Sequence, residues 1–161
     1  IGAGPAGLNA ALYAARKDLT VKVVTTDIGG QMLLTGKIEN YLGFSSISGF
    51  ELADKMEAQV KQYPVDFIYA GVKSLTKDGD GYFTAHLDDG KELRGKTCIV
   101  TAGKHSRTLD IPGEKEYTGR GVSYCATCDA LFYRNKTVAI VGGGDSAVQS
   151  AIELAKLCPK V

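Results

Sequence analysis

The apolar positions near the start of the chain change from helical spacing to strand spacing. The first set recurs at intervals of three and four residues, which is the spacing of one helix face. Its members are Leu8, Ala11, Leu12 and Ala15. A valine-rich run at 21–24 follows and is typical of a buried strand. The pattern predicts a βαβ unit whose first strand has been cut, since only Ile1 precedes the glycine turn.

A second helix is predicted from its N-terminal signal. Ser48 stands three residues before Glu51, the spacing of a capping box. Apolar residues follow at helical spacing, namely Ala53, Met56 and Val60. We therefore expect a helix over 49–62.

From Val65 to Ala102 the pattern changes to short β-rich runs. Turn sequences interrupt these runs at 78–81 and 88–90. We expect a small antiparallel meander that ends in an apolar strand, "TCIVTAG". The small residues at the end of that strand are typical of a place where backbone approaches a ligand.

The last part of the chain repeats the opening theme after a polar connection that contains Pro112. A strand is predicted over 138–141, then a glycine turn and a helix. The residues expected to be buried on that helix are Val148, Ile152, Leu154 and Leu157. The sequence thus predicts an α/β fold, with a Rossmann-like domain and meander at 1–111 and the start of a second Rossmann-like domain at 112–161. Because each unit is incomplete, we expect the chain to be a piece of a longer protein.

Composition argues against two classes of partner. The formal charge is +1, and lysines and arginines do not cluster with aromatic residues, so nucleic acid is not expected as a partner. No apolar stretch approaches the roughly 18 residues of a membrane span. Of the four cysteines only one pair is close in sequence, which favours a reducing, cytoplasmic compartment.

Two glycine turns have the spacing of a dinucleotide fingerprint. In the first, Gly2 makes the turn, Gly4 lets backbone approach a diphosphate, and Gly7 permits close packing of the helix. Asp27, near the end of the following strand, is either a ribose ligand or an ordinary loop residue. The helix N-terminus adds free N–H groups suited to an anion.

The second glycine turn repeats this arrangement with Gly142, Gly144 and Ala147. Asp145 and Ser146 fall in the first turn of the following helix. They either contact the nucleotide or complement the helix end.

Cys125 and Cys128 could hold a zinc ion, form a permanent disulfide or exchange electrons. Zinc generally needs four ligands, and no second cysteine pair or histidine pair is present. A permanent bridge over so short a loop would be unusual in the cytoplasm. We favour an exchanging pair, in which a helix N-terminus would lower the pKa of one thiol from about 8.5. Asp129 is either a proton shuttle or a helix-capping acid, whereas Cys98 and Cys158 are expected to be buried and inert.

With two dinucleotide fingerprints on either side of a CxxC-Asp motif, the chain resembles the low-molecular-weight thioredoxin reductases. The resemblance covers essentially the whole chain. The matching stretches are "IGAGPAGLNAALYAAR", "GGQMLLTGKIENYLGF", "VTAGKHSRTLDIPGE", "GVSYCATCD" and "VAIVGGGDSAVQSAIELA".

This resemblance implies a homodimeric enzyme that passes electrons from NADPH through FAD and the cysteine pair to thioredoxin. Cys128 would face the flavin, Cys125 would attack thioredoxin, and Asp129 would act as acid and base. The implied FAD residues are Gly2, Gly4, Pro5, Ala6, Gly7, Gly30, Gln31, Asn40, Val72, Thr101, Ala102 and Gly103. For the second turn, the candidate residues that bind the nicotinamide nucleotide are Gly142, Gly143, Gly144, Asp145 and Ser146, and the sequence does not distinguish NADPH from NADH there. The nucleotide domain would swing on the connection near Pro112.

Two features depart from the pattern of these reductases. "VTAG" stands where Ala-Thr-Gly is more usual, and no acidic residue closes the second strand. The final segment that completes the flavin pocket is absent from this sequence, so the chain by itself is expected to bind FAD poorly and to be inactive.

Two other functions remain open from the sequence. The flavoprotein subunit of alkyl hydroperoxide reductase has a similar layout, but its usual motif is Cys-Pro-His-Cys rather than Cys-Ala-Thr-Cys. A non-catalytic nucleotide-binding redox sensor would bind the same cofactors without sustained turnover.

Overall fold

The structure is a computed structural model that describes residues 1–161, and it divides into two compact units, Ile1–His105 and Ser106–Val161. The first unit contains helices α1 (Pro5–Ala15) and α2 (Gly49–Val60) and strands β1 (Val21–Thr25), β2 (Val65–Tyr69), β3 (Val72–Lys77), β4 (Phe83–Leu87) and β5 (Glu92–Gly95). The second contains α3 (Glu114–Tyr117), α4 (Ala126–Asp129) and α5 (Asp145–Leu154). The boundary expected at 111–112 concerns ligand-binding domains and stays a prediction.

A parallel arrangement of four segments forms the base of the first unit. Strands β1 and β2 pair in parallel from Val21 and Val65 onwards. On the other side of β1, the Gly2 N–H donates to the Val24 carbonyl at 2.8 Å. The Thr101 N–H donates to the Ile1 carbonyl, also at 2.8 Å. Across the sheet the segments lie in the order β2, β1, residues 1–3 and residues 99–101. Numbered by their order along the chain this is 3-2-1-4, which is the order found in a dinucleotide-binding fold.

The strand predictions need two corrections in this unit. Val65–Tyr69 was expected in the antiparallel meander, but it lies in the parallel sheet. The stretch "TCIVTAG" was expected to be a strand, but it has no strand assignment and hydrogen-bonds only to the start of the chain through Ile99 and Thr101. A run of residues with high β-propensity indicates that the segment can form a strand, but it does not identify the strand with which it pairs.

The antiparallel meander consists of β3, β4 and β5 in that order. Its first turn carries Asp78 and Asp80, which both form ion pairs with Arg94 of β5. The Arg94 guanidinium also lies 4.3 Å from the centroid of the Tyr82 ring. The charged turn is thereby tied to the last strand, and the meander prediction is confirmed for residues 72–95.

Helices α1 and α2 cover one side of the parallel segments. Their capping and burial follow the sequence pattern, and the Ser48–Glu51 capping box is present in both directions. The buried core here is formed by Ala3, Leu8, Ala11, Val23 and Val60. Burial of a side chain such as Leu8 stabilises the fold by about 1.5–3 kcal/mol.

The second unit packs around a small core of Ala130, Leu154 and Cys158. The strand predicted over 138–141 is not formed. A single bridge joins Thr137 to Lys160, and the Val138 N–H donates to the Lys160 carbonyl at 3.0 Å. One bridge is too few for a ladder, so residues 138–141 do not form a strand.

Helix α5 buries only part of its predicted face. Leu154 is buried and Leu157, just after the helix, is half-buried, as expected. Val148 and Ile152 are 53% and 59% exposed, so their prediction was wrong. Helical periodicity identifies residues that share a face, but it does not establish that another element covers all of that face. No helix in the structure combines the length and the apolar character needed to cross a membrane.

Candidate functional site

The N-terminus of α1 forms an uncapped turn in the first unit. Gly4 is its N-cap residue, no side chain caps the helix, and the first turn holds no acidic residue. The leading N–H groups of a helix have no partners within the helix, so they are free here to bind an anion. The missing side-chain cap and the absent acid both fit a diphosphate.

Each of the three glycines in this turn is needed for a different physical reason. Gly2 has a φ of +96°, which side chains rarely adopt. A Cβ on Gly7 would collide with the Gly2 carbonyl, so Gly7 permits the close packing that its position in the motif predicts. A Cβ on Gly4 would meet no atom within 4 Å. Gly4 therefore leaves space for a ligand.

A second loop and the 101–104 segment come close to this turn. A Cβ on Gly30 would lie 3.5 Å from the Gly4 Cα. Gln31 donates from Nε2 to the Lys104 carbonyl. The Thr101 Oγ1 lies 2.8 Å from the Ile1 carbonyl oxygen and 3.0 Å from that of Gly2. These contacts bring much of the predicted flavin set together.

The remaining members of that set are placed less closely. Pro5 and Ala6 are exposed in the first turn of α1, Ala102 lies beside Gly2, and Gly103 has a φ of +68° with open space around it. Asn40 is exposed on a loop, and Val72 packs against the core cluster around Val24 and Leu87. Neither Asn40 nor Val72 is joined to the turn by a hydrogen bond.

The structure assigns Asp27 a local hydrogen-bonding role. Its Oδ1 accepts the Gly30 N–H at 3.0 Å, and its Oδ2 accepts the Thr26 hydroxyl at 3.2 Å. The side chain thus shapes the loop that carries Gly30. A ribose contact by Asp27 stays a prediction.

The second glycine turn, at the start of α5, is also open. Gly144 is the N-cap residue and no side chain caps the helix. Gly142 has a φ of +135°, while Gly143 and Gly144 have no neighbours within 4 Å of an added Cβ. Asp145 places a carboxylate in the first turn, unlike in α1. Apart from this charge, the turn fits a nucleotide phosphate.

Cys125 and Cys128 form a disulfide at the start of α4, with their Cα atoms 5.3 Å apart. Cys125 is the N-cap residue, and the Cys128 N–H donates to its Sγ at 3.2 Å. Both cysteines are exposed. In general, a backbone N–H directed at a sulfur atom favours a thiolate over a thiol. No group of three or more potential ligands that could hold a metal ion is present.

Asp129 is held by a residue that the sequence interpretation missed. The Ser123 hydroxyl donates to Asp129 Oδ2 at 2.5 Å. The Cys125 N–H in turn donates to the Ser123 Oγ at 3.1 Å. The signal available in the sequence is a serine two residues before a helix N-cap, where its hydroxyl can bond nearby backbone.

A buried carboxylate was also missed. Glu114 is only 5% exposed, and both of its oxygens accept the Leu109 N–H at 2.9 Å. The Tyr124 hydroxyl donates to Glu114 Oε1 at 2.5 Å. These hydrogen bonds lower the pKa of Glu114, that of Tyr124 contributing most, and the same bond raises the pKa of Tyr124. Tyr124 directly precedes Cys125, so its hydrogen bond to Glu114 anchors the chain next to the disulfide.

The two remaining cysteines differ in exposure. Cys158 is buried, as predicted, and its Sγ lies 3.2 Å from the Tyr133 carbonyl oxygen. Cys98 is half-buried, so the expectation of full burial was wrong. Its segment is paired only through Ile99 and Thr101, which leaves the thiol partly open to solvent.

The chain thus combines two glycine turns suited to dinucleotides with an exposed disulfide at the start of a helix. The model of the pyridine nucleotide-disulphide oxidoreductase family matches residues 1–161. The chain belongs to this family.

Within this family, the chain is similar to several curated proteins and solved structures. The thioredoxin reductase of Bacillus subtilis (strain 168) is 43% identical over 162 residues, which cover 100% of this chain and 51% of the relative. A subunit of the alkyl hydroperoxide reductase of Pseudomonas putida is 41% identical over 163 residues, covering 100% and 31%. The crystal structure of thioredoxin reductase from Streptococcus pyogenes MGAS5005 has a TM-score of 0.92 at 46% identity, covering 99% and 52%. The chain spans about half the length of the thioredoxin reductases that it matches.

Proposed function

We propose that this chain belongs to a flavoprotein disulfide reductase in which electrons pass from NADPH through FAD and the Cys125–Cys128 disulfide to thioredoxin. The observation that carries the proposal is the exposed disulfide whose Cys125 sulfur accepts the Cys128 N–H. The similarity to thioredoxin reductases over the whole chain supports it.

The α1 turn is the proposed FAD site. Its uncapped N–H groups and the open space at Gly4 would take the diphosphate. The proposed site also includes Gly2, Pro5, Ala6, Gly7, Gly30, Gln31, Asn40, Val72, Thr101, Ala102 and Gly103. When bound, FAD would supply a two-electron relay between the nicotinamide and the disulfide.

The turn before α5 is the proposed NADPH site. Gly142, Gly143 and Gly144 keep side chains away from the helix N-terminus, so backbone can approach a phosphate closely. Asp145 and Ser146 would contact the nucleotide through the first turn of the helix.

The cysteines carry the exchange with the substrate. Reduction of their bond takes two electrons and two protons and leaves two thiols. The Cys125 thiolate attacks one sulfur of the thioredoxin disulfide, that bond breaks, and a substrate thiolate leaves. The Cys128 thiolate then attacks the Cys125 Sγ, which re-forms the protein disulfide and releases the second substrate thiolate. The N–H that Cys125 accepts favours its role as the attacking sulfur.

Asp129 is the proposed acid and base. Its place next to Cys128 allows it to give a proton to a thiolate and to take one from a thiol as the bond opens and closes. The hydrogen bond from Ser123 fixes one of its oxygens. A homodimer and a cytoplasmic location complete the proposal, as the resemblance to thioredoxin reductases implies.

The proposal is tested on the chain completed to the length of its thioredoxin reductase relatives. Added NADPH should bleach the bound flavin and raise the number of titratable thiols by two. A preparation that stays colourless after FAD is added would contradict the proposal. Bleaching without new thiols would indicate a flavoprotein whose disulfide does not take part.

A further inference from the structure

Ser123 lies between the redox disulfide and the acid that follows it. Its Oγ accepts the Cys125 N–H at 3.1 Å and lies 2.5 Å from Asp129 Oδ2. The Cys125 carbonyl oxygen is 3.3 Å from the same Oγ. One hydroxyl thus contacts both the backbone of the first cysteine and the carboxylate beside the second.

A serine hydroxyl has one proton to donate and can accept hydrogen bonds on its oxygen. When Asp129 is ionised, that proton points to Oδ2, the nearer of the two acceptors. When Asp129 is protonated, the carboxylic acid donates to Oγ instead, and the serine proton turns to the Cys125 carbonyl oxygen. A hydrogen bond between the two side chains is therefore possible in both protonation states of Asp129.

We propose that Ser123 is a positioning residue that holds Asp129 in place while its carboxyl group gives up and regains a proton. The inference rests on the proposed function, in which the Asp129 carboxylic acid donates its proton to a cysteine thiolate. That step leaves a carboxylate and a thiol, and the reverse step restores the acid. Since Ser123 is also bonded to the Cys125 backbone, it fixes the carboxyl group relative to the disulfide.

Other neighbours of Asp129 act differently. Its backbone N–H donates to the Cys125 carbonyl at 3.1 Å, which fixes the main chain of α4. Burial, and after it the charge of Asp129, raises the pKa of the Tyr133 phenol. Neither interaction orients the carboxyl oxygens as the Ser123 hydroxyl does.

The test uses the completed flavoprotein with thioredoxin as substrate. Ser123→Ala should lower kcat for thioredoxin reduction by about tenfold, a part of the 10²–10⁴ that a general acid supplies. The KM for thioredoxin and the rate of flavin bleaching by NADPH should stay within about twofold of the wild-type values. Ser123→Thr keeps a hydroxyl and should restore kcat.

A double-variant comparison separates positioning from a general structural effect. If Ser123 acts through Asp129, Ser123→Ala should cause no further loss in an Asp129→Asn protein. Full kcat in Ser123→Ala, an undiminished further loss beside Asp129→Asn, or failure of Ser123→Thr to restore kcat would overturn the inference. A wild-type protein that bleaches with NADPH but does not reduce thioredoxin would overturn the proposed function itself, and with it the inference that rests on it.

Discussion

At the residue scale, the two cysteines have unequal surroundings. The Cys125 sulfur accepts a backbone N–H from Cys128. This asymmetry is consistent with Cys125 as the sulfur that attacks the substrate and with Cys128 as the one that resolves the mixed disulfide. The sequence predicted the pair and its exchange chemistry, while the direction of the hydrogen bond required the structure.

Cys128→Ser should separate flavin reduction from substrate reduction. The variant cannot form the disulfide, so flavin bleaching by NADPH should continue while thioredoxin reduction falls to background. Stopped-flow absorbance and a turnover assay measure the two steps. Cys158→Ser is the matched control, because Cys158 is buried and takes no part in the disulfide. Wild-type turnover in Cys128→Ser would show the cysteine pair to be dispensable.

Glu114 should give the second unit a measurable dependence of stability on pH. Its pKa is lowered in the folded chain, chiefly by the Tyr124 hydroxyl. The ionised form is therefore stabilising above the ordinary carboxyl pKa of about 4.3, and this contribution is lost as pH falls through the lower folded value. Glu114→Gln should be less stable than the wild type at pH 7, with a difference that shrinks on acidification.

Urea unfolding at a series of pH values measures this difference. Exposed Glu116 on the same short helix supplies the control, since Glu116→Gln should change the free energy of unfolding by no more than about 0.5 kcal/mol. A Glu114→Gln deficit that stays constant from pH 7 to below pH 3 would rule out an ionised Glu114 as its source.

Ser123 and Glu114 explain why the site was only partly predictable at this scale. The chemistry of cysteine pairs and glycine turns is local, so spacing along the chain is enough to identify them. The partner of Asp129 is Ser123, six residues away in a loop, and the partner of Tyr124 is Glu114, ten residues away at the start of α3. The connecting loop decides whether these residues meet. A buried glutamate runs against the usual exposure of its residue type, so the sequence gives no reason to expect it.

At the element scale, helices were predicted better than strands. Helices α1 and α2 depend on local spacing and capping, and the structure confirms both. Strands depend on distant partners. For that reason Val65–Tyr69 was given the wrong neighbour, and the run at 138–141 has no ladder.

The α1 turn yields a prediction about two glycines with different roles. Gly7→Ala places a Cβ against the Gly2 carbonyl and should destabilise the chain by about 1–3 kcal/mol, the usual cost of overpacking. In Gly4→Ala the added methyl group points into open space, so this substitution should change the free energy of unfolding by less than about 1 kcal/mol.

Chemical unfolding and FAD titration of the completed protein measure the two effects separately. Gly4→Ala should fold normally but bind FAD more weakly, because the methyl group occupies the space proposed for the diphosphate. Equal loss of stability in both variants would contradict the distinct roles of the two glycines. Unchanged FAD affinity in Gly4→Ala would show that the diphosphate does not bind at this turn.

At the scale of the whole molecule, the chain presents two nucleotide-type turns and one exposed disulfide in two compact units. The family match over all residues agrees with the class expected from the sequence. The number of units was not evident from a length of 161 residues, since the repeated strand-turn-helix pattern and not the length indicated two.

The central claim is that reducing equivalents reach a protein substrate through the Cys125–Cys128 bond. Its most direct measurement is steady-state NADPH oxidation by the completed flavoprotein with thioredoxin as acceptor. We expect sustained oxidation that requires thioredoxin, with one substrate disulfide reduced for each NADPH consumed. Oxidation that thioredoxin does not accelerate, or that proceeds only with a peroxide-reducing partner, would contradict it.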